Sequence, residues 1–207
     1  MRSTAYDSPP RLPDEETVQL NDVISGEGPF EIEIGPGRGL FMIERCQVAP
    51  EVRLMGLEIK RKWSCLVDQR LAREGFGDRA RVFCEDARLA LPKLQPSGGL
   101  ERVFIHFPDP WWKKRHHKRL VIEENVLDEL ARLLRDGGEL LIQTDVHERA
   151  EQYRALVDAH PLFEGAGDEE GQAPLEKNPF GARGNREHRA DDDGLPVYRL
   201  LYRRRPR

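Results

Sequence analysis

Three glycines at alternate positions, Gly35-Pro36-Gly37-Arg38-Gly39, stand among acidic residues that could hold a nucleoside. Glycine lets the backbone turn sharply and approach a ligand closely ahead of a helix N-terminus. A dinucleotide fingerprint would put its third glycine at position 40, where the chain has Leu40. The G-x-G-x-G spacing suits a ligand without a pyrophosphate, such as S-adenosylmethionine, and disfavours a nicotinamide dehydrogenase. Glu58 follows Gly39 by 19 residues. An acid about 20 residues past a glycine loop is placed to accept hydrogen bonds from ribose hydroxyls. Glu33 lies near the end of the strand that leads into the loop. A carboxylate there is costly unless it meets a partner. The ammonium of a bound amino acid group is one candidate, and an ion pair within the fold is the other. Asp86, in Cys84-Glu85-Asp86-Ala87, either meets an adenine amino group or caps a helix at Ala87–Leu91.

The most specific text is Phe107-Pro108-Asp109-Pro110-Trp111-Trp112, followed by Lys113, Lys114, Arg115, His116, His117, Lys118 and Arg119. The prolines stiffen the loop and fix where Asp109 points. Trp111 and Trp112 offer flat surfaces, and the basic run offers phosphate contacts. Asp145 either caps the next helix or joins Asp109 on one edge. No Ser-His-Asp order or metal-ligand cluster suggests hydrolysis. The residues leave open a methyltransferase on RNA, one on another nucleic-acid or protein amine, and an RNA-binding module without catalysis.

These residues need a scaffold that brings strand ends together. Strand-like runs at Phe30–Ile34, Arg53–Ile59, Arg81–Cys84, Arg102–Phe107, Glu139–Thr144 and Val197–Tyr202 alternate with helical periods. The periods fall at Leu40–Gln47, at Trp63, Leu66, Val67 and Leu71, at Ile122, Val126, Leu130 and Leu134, and at Val146, Ala150, Tyr153 and Val157. The third helix is expected to end at Asp136-Gly137-Gly138, a C-cap signal. The polar stretch Gly181–Asp193 reads as a long connection. Alternation of this kind implies βαβ units with right-handed crossovers. The expected fold is α/β, a doubly wound, mainly parallel sheet with helices on both faces and a Rossmann-like layout. Such sheets bind ligands at the carboxyl ends of their strands, where the acids named above fall.

A chain of 207 residues with net charge −4 suits one such domain, expected at 29–207 after a polar N-terminal arm, 1–28, that is mobile or lies on the domain. No apolar run approaches the roughly 20 residues needed to cross a bilayer. Cys46, Cys65 and Cys84 are scattered and odd in number, which reads as reduced packing thiols in a cytoplasmic protein. Two acid-free basic segments, Trp111–Leu120 and Arg199–Arg207, point to a local phosphate-binding patch within an acidic chain.

From Phe30 to Tyr202 the sequence resembles the bacterial tRNA (guanine-N7-)-methyltransferases, most specifically in its F-P-D-P-W and R-H-x-K-R text. The resemblance implies a class I enzyme that uses S-adenosylmethionine to methylate the variable-loop guanosine of tRNA, as a monomer or homodimer without a metal. It implies that Glu33, Glu58, Asp86 and Asp109 line the cofactor pocket, beside the loop glycines Gly35, Gly37 and Gly39 already read as cofactor-binding. It assigns Lys113, Asp145 and the segment from Arg115 through His116, His117 and Lys118 to Arg119 to RNA. The family's T-x-x-E substrate motif aligns with Gly184-Asn185-Arg186-Glu187, so the threonine hydroxyl is missing and Asn185 is the available substitute. Guanine N7 already carries a lone pair, so the reaction needs alignment and charge placement rather than a strong base. Asp109 is the expected catalytic residue, as an orienting and electrostatic group.

Overall fold

The computed structural model describes residues 8–109 and 120–207. In chain order the elements are β1 (Val18–Gln19), α1 (Leu20–Val23), β2 (Phe30–Ile34), α2 (Leu40–Val48), β3 (Arg53–Leu57) and α3 (Arg61–Arg73). Next come β4 (Ala80–Phe83), α4 (Ala87–Ala90), β5 (Leu94–Gln95), β6 (Leu100–His106), α5 (Glu124–Leu133) and β7 (Leu134–Thr144). The chain closes with α6 (His147–Asp158), β8 (Phe163–Gly165), β9 (Pro174–Leu175), α7 (Asn185–Asp192) and β10 (Tyr198–Arg204).

The main sheet runs β4-β3-β2-β6-β7-β10-β8, with β9 also paired to β10. The strands from β4 to β7 are parallel, and β10 runs antiparallel to β7, β8 and β9. From β2 the chain winds outward to β3 and β4, then returns to β6 on the other side. The carboxyl ends of β2 and β6 therefore flank the topological switch point, where such sheets open a crevice.

Side-chain alternation sends residues to two layers. Phe30, Ile32, Ile34, Val103, Ile105, Leu140 and Ile142 face α5 and α6, meeting Val126, Leu130, Tyr153 and Val157. On the other face, Leu54 and Val82 meet Met42 and Cys46 of α2 and Val67 and Leu71 of α3. Phe41, Phe104, Leu141 and Leu201 form a third cluster there. Fully burying a side chain such as Leu or Phe contributes about 1.5–3 kcal/mol. Burial among α2 residues pushes the Cys46 thiol up to about 11, which suits a packing thiol.

The N-terminal segment shares this core. Leu12, Val18, Leu20 and Ile24 are buried in the α5–α6 layer, and β1 pairs in parallel with β5. Pro10 accepts a hydrogen bond from the Cys84 N–H.

Two local expectations are corrected. Asp136-Gly137-Gly138 does not cap α5, because the helix stops at Leu133 and the chain enters β7 at Leu134. Leu134 is buried opposite Leu100, and the next pair is Arg102 with Glu139, so Gly137 (φ +74°) turns within a bulge. The stretch Gly181–Asp193 is not a loop throughout, since Asn185–Asp192 is helical. Its buried side is only Glu187 and Ala190, too little apolar text to show a period.

Candidate active site

The glycine loop is shaped by left-handed backbone. Gly35, Gly37 and Gly39 have φ of +74°, +54° and +73°. A Cβ on Gly39 would lie 2.2 Å from Val67 Cγ1, so this glycine lets the loop seat on α3. A Cβ on Gly35 would meet nothing within 4 Å. The loop is thus closed toward the protein at Gly39 and open at Gly35. Glu58, buried just past β3, ties the two strand ends together. Its Oε2 accepts from the Gly37 N–H at 2.9 Å and its Oε1 from the Lys60 N–H at 2.8 Å. Each oxygen keeps further acceptor capacity.

A buried polar row crosses the same edge. Glu33 on β2, His106 on β6, Gln143 on β7 and Arg199 on β10 project opposite the α5–α6 layer, with His106 beside Gln143 and Gln143 beside Arg199 in register. Glu33 Oε1 lies 2.9 Å from His106 Nδ1. Three atoms of the row are buried without a partner among the described residues: Glu33 Oε2, His106 Nε2 and Gln143 Oε1. Each such atom costs about 1–3 kcal/mol. Their gathering at the ends of three neighbouring strands marks a place built for a polar ligand group. Burial holds the Glu33 carboxyl above the usual carboxylate range, and the His106 hydrogen bond offsets part of that rise.

Asp109 leaves the sheet through a strained turn. Phe107, a non-glycine residue, has φ +47°, and its N–H donates to the Gln143 carbonyl at 2.7 Å. The Asp109 side chain is 58% exposed, with Oδ2 3.8 Å from Lys60 Nζ. The ends of β3 and β6 therefore converge on this carboxylate. Asp86 caps α4, accepting from the Arg88 N–H at 3.0 Å, and the Arg88 guanidinium bonds hold its carboxyl below the usual range. A cavity of about 600 Å³ adjoins Asp86 on the side of Leu89, Pro92 and Asn125 and does not reach Glu33 or Glu58.

Asp145 does not cap α6. Thr144 Oγ1 accepts from the Val146 N–H, and Asp145 instead accepts from Arg186 Nε at 2.9 Å. That ion pair fastens the start of α7 to the end of β7. Gly184 is the N-cap of α7 without a side-chain bond, and Asn185 is exposed beside it. Glu187 turns inward and is 0% exposed. Its oxygens accept from Arg199 Nη2 at 2.8 Å, Gln143 Nε2 at 3.1 Å and Asn178 Nδ2 at 3.2 Å. The expected contact of Glu187 with a base is therefore not presented in this arrangement, because the carboxylate is spent on the network under α7.

The basic residues Lys113, Arg115, His116, His117, Lys118 and Arg119, with Trp111 and Trp112, lie outside the described residues. Lys60, His106, Gln143 and Arg186 belong to the site but were not singled out in the sequence. Only their positions at strand ends, or one residue from an expected site residue, could have marked them. Among the described residues no cluster of histidine, cysteine and carboxylate could hold a metal, and no helix is long and apolar enough to cross a membrane.

Comparison with known proteins decides the family. A family model described as a putative methyltransferase matches residues 27–200. A tRNA (guanine-N(7)-)-methyltransferase of Synechococcus sp. (strain JA-2-3B'a(2-13)) is 37% identical over 179 residues, covering 86% of this chain and 72% of its own. The chain belongs to the tRNA (guanine-N7-)-methyltransferase family. Another relative with the same name, from Rhodopirellula baltica, is 33% identical over 91% of this chain and 71% of its own. Solved structures agree on the fold of this methyltransferase. The 16S rRNA methyltransferase KamB superposes with a TM-score of 0.62 at 14% identity, covering 96% of this chain and all of that one. A SAM-dependent O-methyltransferase from Thermotoga maritima gives 0.56 at 17% identity, covering 91% of this chain and 63% of that one. The methyltransferase uses S-adenosylmethionine, and its sheet is the Rossmann-like class I layout expected from the strand and helix periods.

Proposed function

We propose that this chain transfers the methyl group of S-adenosylmethionine to N7 of a guanosine in tRNA, the variable-loop guanosine. The observation that carries the reading is the unpartnered, buried Glu33 Oε2 at the switch point, next to a glycine loop held open by Glu58. That oxygen fits an ammonium group. The bound cofactor supplies an electrophilic methyl on a sulfonium.

The chain's own residues then divide the work. Glu33, aligned by His106, receives the amino acid end. The lone pairs left on Glu58 accept from ribose hydroxyls. Gly35 and Gly37 let the backbone come close, and Gly39 seats the loop that carries them. The acceptor capacity that Asp86 keeps beyond its bonds to Arg88 takes the adenine amino group while the residue caps α4. Asp109 accepts from the guanine N1 and N2 hydrogens and stabilises the positive charge that moves to the purine. No base is needed, because N7 carries its lone pair before the transfer. Lys113 and the run Arg115–Arg119 supply phosphate contacts, and Asp145 and Asn185 border the RNA from β7 and α7. The domain at 29–207 carries the 1–28 arm packed into its core through Leu12, Val18, Leu20 and Ile24, and it works in the cytoplasm as a monomer or homodimer.

The test is incubation with labelled cofactor and, separately, unmodified tRNA, DNA and a protein mixture, followed by mapping of the methylated atom. Label on a single tRNA guanosine at N7 is expected. Label on DNA or protein alone would overturn the reading.

A further inference from the structure

Arg38, Asn185, Arg186 and Arg189 line a cavity of about 240 Å³. Arg38 comes from the glycine loop, and the other three form the first turn and a half of α7. The charges are arranged unevenly. Arg186 is paired with Asp145, whereas Arg38 and Arg189 have no carboxylate partner among the described residues. Elsewhere many guanidiniums are tied down: Arg45 to Glu31, Arg81 to Asp68, Arg135 to Glu101, Arg199 to Glu187 and Arg204 to Asp136. Arg38 lies over the Trp63 ring, 5.5 Å from its centroid, so the cavity is lined by two arginines without a carboxylate partner in a chain of net charge −4. The cavity also has a definite place. It bridges the cofactor loop and the helix that Asp145 anchors, so an anion there would lie beside the reacting groups.

We propose that this cavity is a phosphate-binding subsite for the RNA backbone, in which Arg38 and Arg189 grip one phosphodiester and Arg186 positions α7 through Asp145. Guanidinium groups suit this ligand because their planar donors match phosphate oxygens in pairs. Holding one phosphate against the glycine loop fixes the register of the target nucleotide relative to the methyl group. The subsite rests on the reading of the chain as an RNA methyltransferase and adds to the basic run after Asp109 a second, separate phosphate contact.

The test measures the affinity of the full chain for an unmodified tRNA transcript at several potassium chloride concentrations. Each phosphate contact adds about 0.7–0.9 to the slope of log affinity against log salt. Arg189→Gln should lower that slope by part of one contact, Arg38→Gln with Arg189→Gln should lower it by about one whole contact, and Arg189→Lys should restore most of the single variant's loss. Calorimetry with S-adenosylmethionine should give the same dissociation constant for Arg189→Gln as for wild type. Slopes equal to wild type in both glutamine variants would overturn the proposal. So would a loss of cofactor affinity with an unchanged slope, since the cavity would then hold the cofactor's carboxylate. The function proposed above fails separately, through the position of the methyl group. Methylation of a different base with arginine-dependent slopes would sink that function and keep the subsite.

Discussion

Glu33 on β2 and His106 on β6 meet across the switch point, Oε1 to Nδ1 at 2.9 Å, and each leaves its other polar atom buried and unpartnered. The pair is the innermost part of a row that continues through Gln143 to Arg199 and Glu187. It sets how charge is held at the carboxyl ends of β2 and β6.

Cofactor affinity should rise with pH through the acid-to-neutral range. The Glu33 carboxyl is held above its ordinary value by burial, so the folded chain keeps this proton to a higher pH than the unfolded chain does. Glu33 therefore takes stability away as pH climbs from the ordinary carboxylate value through its raised one. Only the ionised form attracts the ammonium, so binding strengthens across the same window. Calorimetric titration of S-adenosylmethionine at stepped pH should show this rise in wild type and lose it in Glu33→Gln. A rise retained in Glu33→Gln would remove Glu33 as its source.

Gly39→Ala and Gly35→Ala should fail in different ways. At Gly39 the added methyl meets Val67 at 2.2 Å on left-handed backbone. Backbone strain of about 1–2 kcal/mol adds to overpacking of about 1–3 kcal/mol. Thermal unfolding should show that loss. At Gly35 the methyl has open space, so only the backbone strain is felt in stability, while the methyl occupies room meant for ligand. Gly35→Ala should fold and bind cofactor at least tenfold more weakly, about 1.4 kcal/mol.

Glu187→Ala should act first on stability. It strips the partner from Arg199, whose side chain is mostly buried, and removes acceptors from Gln143 and Asn178. Breaking one side of a buried pair costs about 3–5 kcal/mol. At about 2–4 °C per kcal/mol for a chain of this size, the melting temperature should fall by roughly 6–20 °C. An unchanged melting temperature with a lowered kcat/KM for tRNA would instead place Glu187 against the substrate.

Asp109→Asn should leave the melting temperature alone, because the side chain is exposed and its Lys60 partner is 3.8 Å away. An exposed ion pair is worth little. Single-turnover methyl transfer should fall roughly 100-fold, the scale for loss of one preorganised electrostatic group. A near-normal rate would remove Asp109 from the reaction and direct attention to Asp145.

What the sequence made legible is what depends on near neighbours. Phe30–Ile34 is a strand with the expected bounds, since its alternation and the glycine loop after it are local signals. Glu33, Glu58 and the three glycines fall within one βαβ stretch, so their spacing already implied a nucleoside site. The partner of Glu33 was hidden because His106 is 73 residues away, and only parallel pairing of β2 with β6 brings it close. The helix α7 was hidden for a different reason. Its buried side is the Glu187 carboxylate and the small Ala190, so no hydrophobic period could announce it. The same burial turned a residue expected to face RNA into a support for the helix beside the cavity of Arg38 and Arg189.

The most direct measurement uses two tRNA transcripts that differ at one atom. One carries guanosine at the variable-loop target, and the other carries 7-deazaguanosine, in which a C–H group replaces N7. Both keep the N1 and N2 hydrogens that the proposed function gives to Asp109, so both should bind with similar affinity. Only the guanosine transcript should receive the labelled methyl group from S-adenosylmethionine. Equal labelling of the two transcripts would contradict the account, because the accepting atom could not then be N7.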